Sequence, residues 1–215
     1  MKKTIIVIGA GKGLGNHIAK RFGNEGFRVV LLARNMKSLQ VYKKEFNLAN
    51  IECSIYSLDV KNFNEIRTVL KDITNQYGTV DTLVYNVGIT DQDCNYTIDG
   101  NLLMERYCVD VAACYEAIST IATKDFCDKK GTILVTGGQL SIHPHLDYFP
   151  LSLDKAALRS LCIMMKEKLE PKGVHVGTVM ICGGIVPNTH FAPENIAEKF
   201  WELYQKRDVF EMKYD

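Results

Sequence analysis

The stretch Gly9-Ala10-Gly11-Lys12-Gly13-Leu14-Gly15 follows directly on the apolar run Thr4–Ile8 and leads into an amphipathic segment, Gly13–Phe22. Glycines at this spacing allow a tight turn and bring backbone N–H groups close to a pyrophosphate. The N-terminus of the helix that follows adds partial positive charge. A second β-branched run, Arg28–Ala33, is followed by Arg34, so that Ala33 stands at the end of the run. An acidic residue at that place bonds a ribose 2′-hydroxyl, whereas an arginine fork suits a 2′-phosphate. Arg34, with Lys12 inside the glycine loop, therefore points to NADP(H) rather than NAD(H). Taken singly these residues are a turn and two solvated charges. The strand before the loop and the helix after it favour phosphate binding.

The rest of the chain supplies the elements such a loop needs. Short β-branched runs at Thr4–Ile8, Arg28–Ala33, Cys53–Ser57, Thr82–Tyr85, Thr132–Thr136, His175–Ile181 and Val209–Lys213 predict strands. Between them, helices are predicted over Gly13–Phe22, Met36–Phe46, Phe63–Gln76, Asn101–Lys124, Leu153–Leu169 and Glu194–Gln205. Strands apolar on both faces belong in a parallel sheet covered by helices. Strict alternation of strand and helix predicts a doubly wound α/β fold, a parallel sheet with helices on both faces. No linker or repeat interrupts residues 1–215, which read as one domain. The Pro-containing stretches His143–Pro150 and Cys182–Pro193 read as loops at the carboxyl ends of strands, where such sheets bind ligands.

Composition narrows the partners. The 215 residues carry 26 basic and 25 acidic side chains, a net charge of +1. That balance predicts no nucleic-acid partner and no anionic membrane surface. No apolar run approaches the ~20 residues of a spanning helix, and the opening run stops at Gly9, too short for a signal core. The seven cysteines are widely spread, without CxxC spacing. They read as thiols of a reducing cytoplasm rather than a disulfide framework or a zinc site.

Several motifs, in order along nearly the whole chain, resemble those of the short-chain dehydrogenase/reductase family. Gly9-x3-Gly13-x-Gly15 is similar to its glycine motif, with Ile8 where the family usually has Thr. Leu58-Asp59-Val60 resembles its Asp-Val, Tyr85-Asn86-Val87-Gly88 its Asn-Asn-Ala-Gly, and Lys155-Ala156-Ala157-Leu158 its Lys-Ala-Ala. Cys182-Gly183-Gly184-Ile185 resembles its Pro-Gly-x-Ile beside the nicotinamide. The resemblance implies a Rossmann-like fold and an oxidoreductase. It also implies cofactor contacts from Gly9, Lys12, Gly13, Leu14, Gly15, Asp59, Val60, Asn86, Gly88, Lys155 and Ile185, beside those of Arg34.

The family's catalytic set is Asn, Ser, Tyr and Lys, and three of the four depart here. Leu151 stands at the tyrosine position, Gly138 at the serine position and Asp110 at the asparagine position; Lys155 remains. A positioned general acid contributes roughly 10²–10⁴-fold, and leucine has no proton to give. Tyr148, seven residues before Lys155, is the candidate replacement acid if a helix carries both on one face, although Pro150 opposes a helix reaching that far back. Asp110 reads either as a base raised by burial or as a carboxylate bonded to backbone. His143 and His145 lack a carboxylate or cysteine partner at metal-ligand spacing, so no metal is expected.

Standard carbonyl reduction is therefore doubtful, and two kinds of function stay open. One is an NADP(H)-dependent oxidoreductase acting on an unidentified small molecule with an altered proton donor. The other is a non-catalytic NADP(H)-binding sensor, or a regulatory subunit of a mixed oligomer. The resemblance implies a homodimer or homotetramer built on the helices bearing Asp110 and Lys155. Only Gly184 to Glu194 is left as a lid, shorter than the family often carries, and an open cleft admits water.

Overall fold

The computed structural model describes residues 2–95 and 97–215, Asn95 by its backbone alone. Seven strands form one parallel sheet in the order β3-β2-β1-β4-β5-β6-β7. They are β1 (Thr4–Ile8), β2 (Arg28–Ala33), β3 (Cys53–Ser57), β4 (Thr82–Tyr85), β5 (Thr132–Gly138), β6 (His175–Ile181) and β7 (Glu211–Tyr214). The order reverses between β1 and β4, which pair from Ile5 with Thr82 to Ile8 with Tyr85. Parallel neighbours require a crossover each time, and helices supply them. The doubly wound α/β fold is the one predicted.

Side chains alternate across the sheet with the period of two that a strand imposes. Ile6, Ile8, Val30, Leu32, Leu83 and Ile133 face one helical layer. This layer holds α3 (Phe63–Tyr77), α5 (Ala113–Ile121) and α7 (Phe149–Leu169). Ile5, Val7, Val29, Leu31, Val84 and Leu134 face the other, made of α1 (Leu14–Asn24), α2 (Met36–Leu48) and α8 (Pro193–Gln205). Each such side chain, fully buried, stabilises the fold by roughly 1.5–3 kcal/mol relative to exposure. Local signals set the helix starts: the side chains of Asn35 and Asn62 accept from the N–H of Ser38 and Glu65 at 3.1 and 3.2 Å, each capping a helix. Among the described residues, no helix is long and apolar enough to cross a membrane.

Four elements differ most from expectation. The helix predicted over Asn101–Lys124 is divided into α4 (Gly100–Tyr107), a π-helical turn at Cys108–Ala112, α5, and a short α6 (Lys124–Asp128). Thr123 ends the continuity by capping α6, its Oγ1 accepting from the Phe126 N–H. Helix α7 starts at Phe149, one turn before the predicted Leu153. Pro150 fits there because first-turn residues need no helical N–H partner. The distant Asp93 carboxylate also accepts the Phe149 N–H. The last strand is Glu211–Tyr214 rather than Val209–Lys213, because Val209 is held in a turn by its N–H bond to Lys206 O at 3.1 Å. β5 also runs on from Thr136 to Gly138, paired with Ile181 of β6.

Candidate cofactor cleft and catalytic site

The glycine loop is shaped by backbone contacts at the sheet's reversal point. Gly9 has φ +92°, and a Cβ there would lie 2.5 Å from the Asn86 carbonyl oxygen. A Cβ on Gly15 would run into the Gly9 carbonyl. Asn86 ties three strand ends together. Its N–H donates to Ile8 O at 2.8 Å, its Nδ2 to Gly9 O at 3.1 Å, and its Oδ1 accepts from Thr136 Oγ1 at 2.7 Å. Helix α1 begins with no side-chain cap at Gly13, and no other residue would crowd a Cβ on Gly11 or Gly13. First-turn N–H groups of such a helix are suited to an anion.

A cleft of about 440 Å³ opens beside this loop. Gly9, Arg34, Asp59, Val60, Asn86 and Gly88 all line it, so six of the predicted cofactor residues come together. A glycine cradle that no Cβ fills, beside an elongated cleft, fits a dinucleotide. Others of the set fall elsewhere. Lys12 lines a neighbouring cavity of about 320 Å³ between α1 and α2, with Asn16, His17 and Lys20, so it and Arg34 do not share one wall. The Leu14 side chain packs into the core, leaving only its backbone towards the loop. Ile185 is exposed on the loop after β6. That loop is short and pinned, with His190 stacked on Tyr214 at 4.9 Å. Sequence reasoning missed Lys61 and Glu105, which also line the cleft and form an ion pair at 2.5 Å. They come from separate elements and form no motif.

At the other end, α7 buries Lys155. Its Nζ donates to Thr136 O at 3.2 Å and lies 3.9 Å from Asp110 Oδ1. Leu151 is buried one turn earlier on the same helix. A Cβ on Gly138 would sit 4.0 Å from the Lys155 side chain and 3.8 Å from Ile181 O, leaving room for a side chain. Tyr148 does not share a helical face with Lys155, because α7 begins only at Phe149 and Tyr148 precedes it with φ −134° and ψ 45°. Its hydroxyl instead accepts a bond from Gln92 Nε2 at 3.2 Å.

Both readings of Asp110 describe part of what is seen. Its Oδ2 accepts the Ile89 N–H at 3.2 Å, and burial raises its carboxyl above the ordinary range against the pull of Lys155 and Arg106. Asp154, which no motif marked, is also buried. Burial, and then the nearby Asp110, push it up to about 7. His143 and His145 are exposed, and His145 Nδ1 accepts the Asp147 N–H at 3.2 Å. Among the described residues, no three His, Cys, Asp or Glu side chains gather as a metal site.

A sequence model for the family described as short chain dehydrogenase matches residues 3–199. A diacetyl reductase [(S)-acetoin forming] of Staphylococcus epidermidis is 29% identical over 189 residues, 86% of this chain and 72% of that protein. A crystal structure of a short-chain dehydrogenase from Rhodopseudomonas palustris superposes with a TM-score of 0.86 at 25% identity, covering 99% of this chain and 98% of that one. An alcohol dehydrogenase from the archaeon Thermococcus sibiricus, complexed with 5-hydroxy-NADP, superposes with a TM-score of 0.88 at 20% identity, over 99% and 96% of the two chains. The latter likeness is one of fold.

Proposed function

The chain belongs to the short-chain dehydrogenase family, and from that premise we propose that its cleft binds NADP(H) in preference to NAD(H). The observation that carries the preference is Arg34 on the cleft wall just beyond β2, next to Ala33, which stands where an NAD site places a carboxylate. The 5-hydroxy-NADP held by the similar archaeal enzyme supports the same cofactor class. Gly9, Gly13 and Gly15 would admit the pyrophosphate, Asp59 and Val60 the adenine end, and Asn86, Gly88 and Lys155 the nicotinamide ribose. When bound, the cofactor supplies a hydride.

On this reading the family's proton donor has no counterpart at its usual position. Leu151 and Gly138 are read as standing where the family has Tyr and Ser, and Tyr148 is turned to Gln92. Reduction by the family's usual route is then slow or absent. The buried, apolar Leu151 beside Lys155 favours the second reading, an NADP(H)-binding sensor or a subunit stabilising an active homologue. Self-association is supported by an exposed face of α7 (Leu153, Ala156, Ser160 and Met164) and by exposed Met104 and Tyr115 on α4 and α5. Residues 1–215 are read as one domain, and the seven free thiols support a cytoplasmic setting.

A melting experiment tests the cofactor assignment. Ligand at 100 times its Kd stabilises by about 2.7 kcal/mol. NADPH is expected to raise Tm well above the shift given by the same concentration of NADH. Equal shifts overturn the preference, and no shift with either overturns cofactor binding.

A further inference from the structure

Four ionisable side chains are buried together behind the Lys155 end of the cleft. Arg106 comes from α4, Asp110 from the π-helical turn, and Asp154 and Lys155 from α7; none is more than 8% exposed. Two are basic and two acidic, so the fully ionised group is neutral. Asp110 Oδ1 lies 3.9 Å from Lys155 Nζ and accepts no hydrogen bond from the described residues. Its Oδ2 is fixed by the Ile89 N–H, and Arg106 Nη1 donates to Ile89 O at 3.0 Å. Ile89 and Gly88 both line the cleft. A Cβ on Gly88 would lie 3.0 Å from Asp110 Oδ1 and 3.5 Å from Lys155 Nζ. The pair therefore sits immediately behind the Gly88 stretch of the cleft wall. The wider π turn carries Asp110 to this place, as such turns do at functional sites.

A dinucleotide is an anion, and a buried carboxylate beside the local cation opposes it. We propose that Asp110 is a positioning residue that holds the Lys155 ammonium back behind the wall, and that proton uptake by Asp110 releases this positive charge to a bound dinucleotide. The inference rests on the NADP(H) reading. The groups facing Asp110 are Lys155 and Asp154 of α7, Arg106 of α4, Tyr85 at the end of β4 and Cys114 of α5; Cys162 lies beyond Cys114, and Cys108 beside Tyr85. Burial keeps the thiols of Cys114 and Cys162 and the Tyr85 hydroxyl protonated. Asp110 and Asp154, both raised by burial, are then the groups of this cluster that take up protons as pH falls. Binding of an anionic cofactor tightens as pH falls.

The test is the Kd for NADPH, by its fluorescence, at pH 5, 7 and 8.5 in the full chain and in Asp110→Asn. The carboxamide has the same size and still accepts the Ile89 N–H. Both proteins are also compared on an Asp154→Asn background, which isolates Asp110 from its neighbour's titration. Asp110→Asn is expected to bind NADPH about tenfold tighter at pH 8.5, the ratio shrinking as pH falls. Taking a ratio cancels the titration of the cofactor's own phosphate. A ratio of one throughout, a constant ratio, or weaker binding overturns the proposal; a purely structural role gives the constant ratio. Should Asp110→Asn not fold, Lys155→Met is expected to flatten the pH dependence, and an unchanged slope overturns the proposal. If the natural chain binds no NADPH at any pH, the cofactor reading fails. The pair is then judged by melting: identical pH profiles of Tm for the natural chain and Asp110→Asn overturn it.

Discussion

The side-chain amide of Asn86 donates to the carbonyl oxygen of Gly9 across 3.1 Å, and so joins the glycine loop to the end of β4. The same asparagine backbone is what a Cβ on Gly9 would strike. Loop and strand end are therefore one unit, held by a close approach that tolerates only hydrogen at Gly9.

Gly9 and Gly13 are accordingly expected to respond differently to alanine. Gly9→Ala combines a positive φ with a backbone clash and is expected to cost roughly 2–4 kcal/mol, read from denaturant unfolding. Gly13 has φ −91° and open space around it. Gly13→Ala is expected to leave stability within about 1 kcal/mol while weakening NADPH binding. Comparable unfolding curves for the two variants would contradict the geometry.

Arg34→Asp puts a carboxylate where the 2′-phosphate is expected. NADPH binding should weaken by about 100-fold while NADH binding holds or improves, measured by calorimetric titration. Lys12→Ala is expected to do less, because Lys12 lines the adjoining cavity rather than this cleft. A larger loss from Lys12→Ala would transfer the phosphate to that cavity.

Placing the family's usual hydroxyls at positions 138 and 151 tests the proposal that reduction is impaired. Position 138 has room, because a Cβ placed there would have its nearest neighbour 3.8 Å away. The double variant Leu151→Tyr, Gly138→Ser is expected to reduce small ketones and diketones on the order of 10²-fold faster than the natural chain, followed by NADPH absorbance. Retained NADPH binding without any gain in rate would sink the assignment of those two positions.

Asp154 gives the stability a pH dependence of known sign. Its carboxyl is raised from 3.8 to about 7, so the folded chain keeps a proton that the unfolded chain releases. Stability therefore falls as pH rises from about 4 to about 7 and levels off above. Asp154→Asn removes that slope. Its Tm is expected to match the natural chain near pH 4.5 and exceed it at pH 8 by roughly 4–8 °C, the shift from ~2 kcal/mol at this size. Parallel curves would exclude the buried carboxyl as the cause.

Much of the fold was legible because the strands are short and the central ones are β-branched and apolar on both faces, as in Ile5-Ile6-Val7-Ile8. Breaks inside α-helical territory were not. The π turn at Cys108–Ala112 keeps apolar residues at nearly helical spacing, so nothing in Val109-Asp110-Val111 announces a wider turn. Asp154 looks like an ordinary surface carboxylate of an amphipathic helix, and only packing against α4 buries it. The lining of the candidate cleft was legible where a motif sits within one loop, as with Gly9 and with Asn86. It was not legible where separate elements meet, as with Lys61 and Glu105, or where neighbouring residues of one loop diverge, as with Lys12.

The junction of β1 with β4 also governs when the cleft comes into being. β1 meets β2 after a single local crossover, Ile5 beside Val29. Its other neighbour, Thr82 of β4, arrives only after two further strand–helix units have been laid down. Contacts so distant along the chain form slowly, because the loop-closure entropy precedes their reward. By that argument the candidate cleft is the seam between a half expected to form early and one expected to form late. A dinucleotide spanning that seam would act as its clasp, slowing the separation of the halves more than it speeds their meeting.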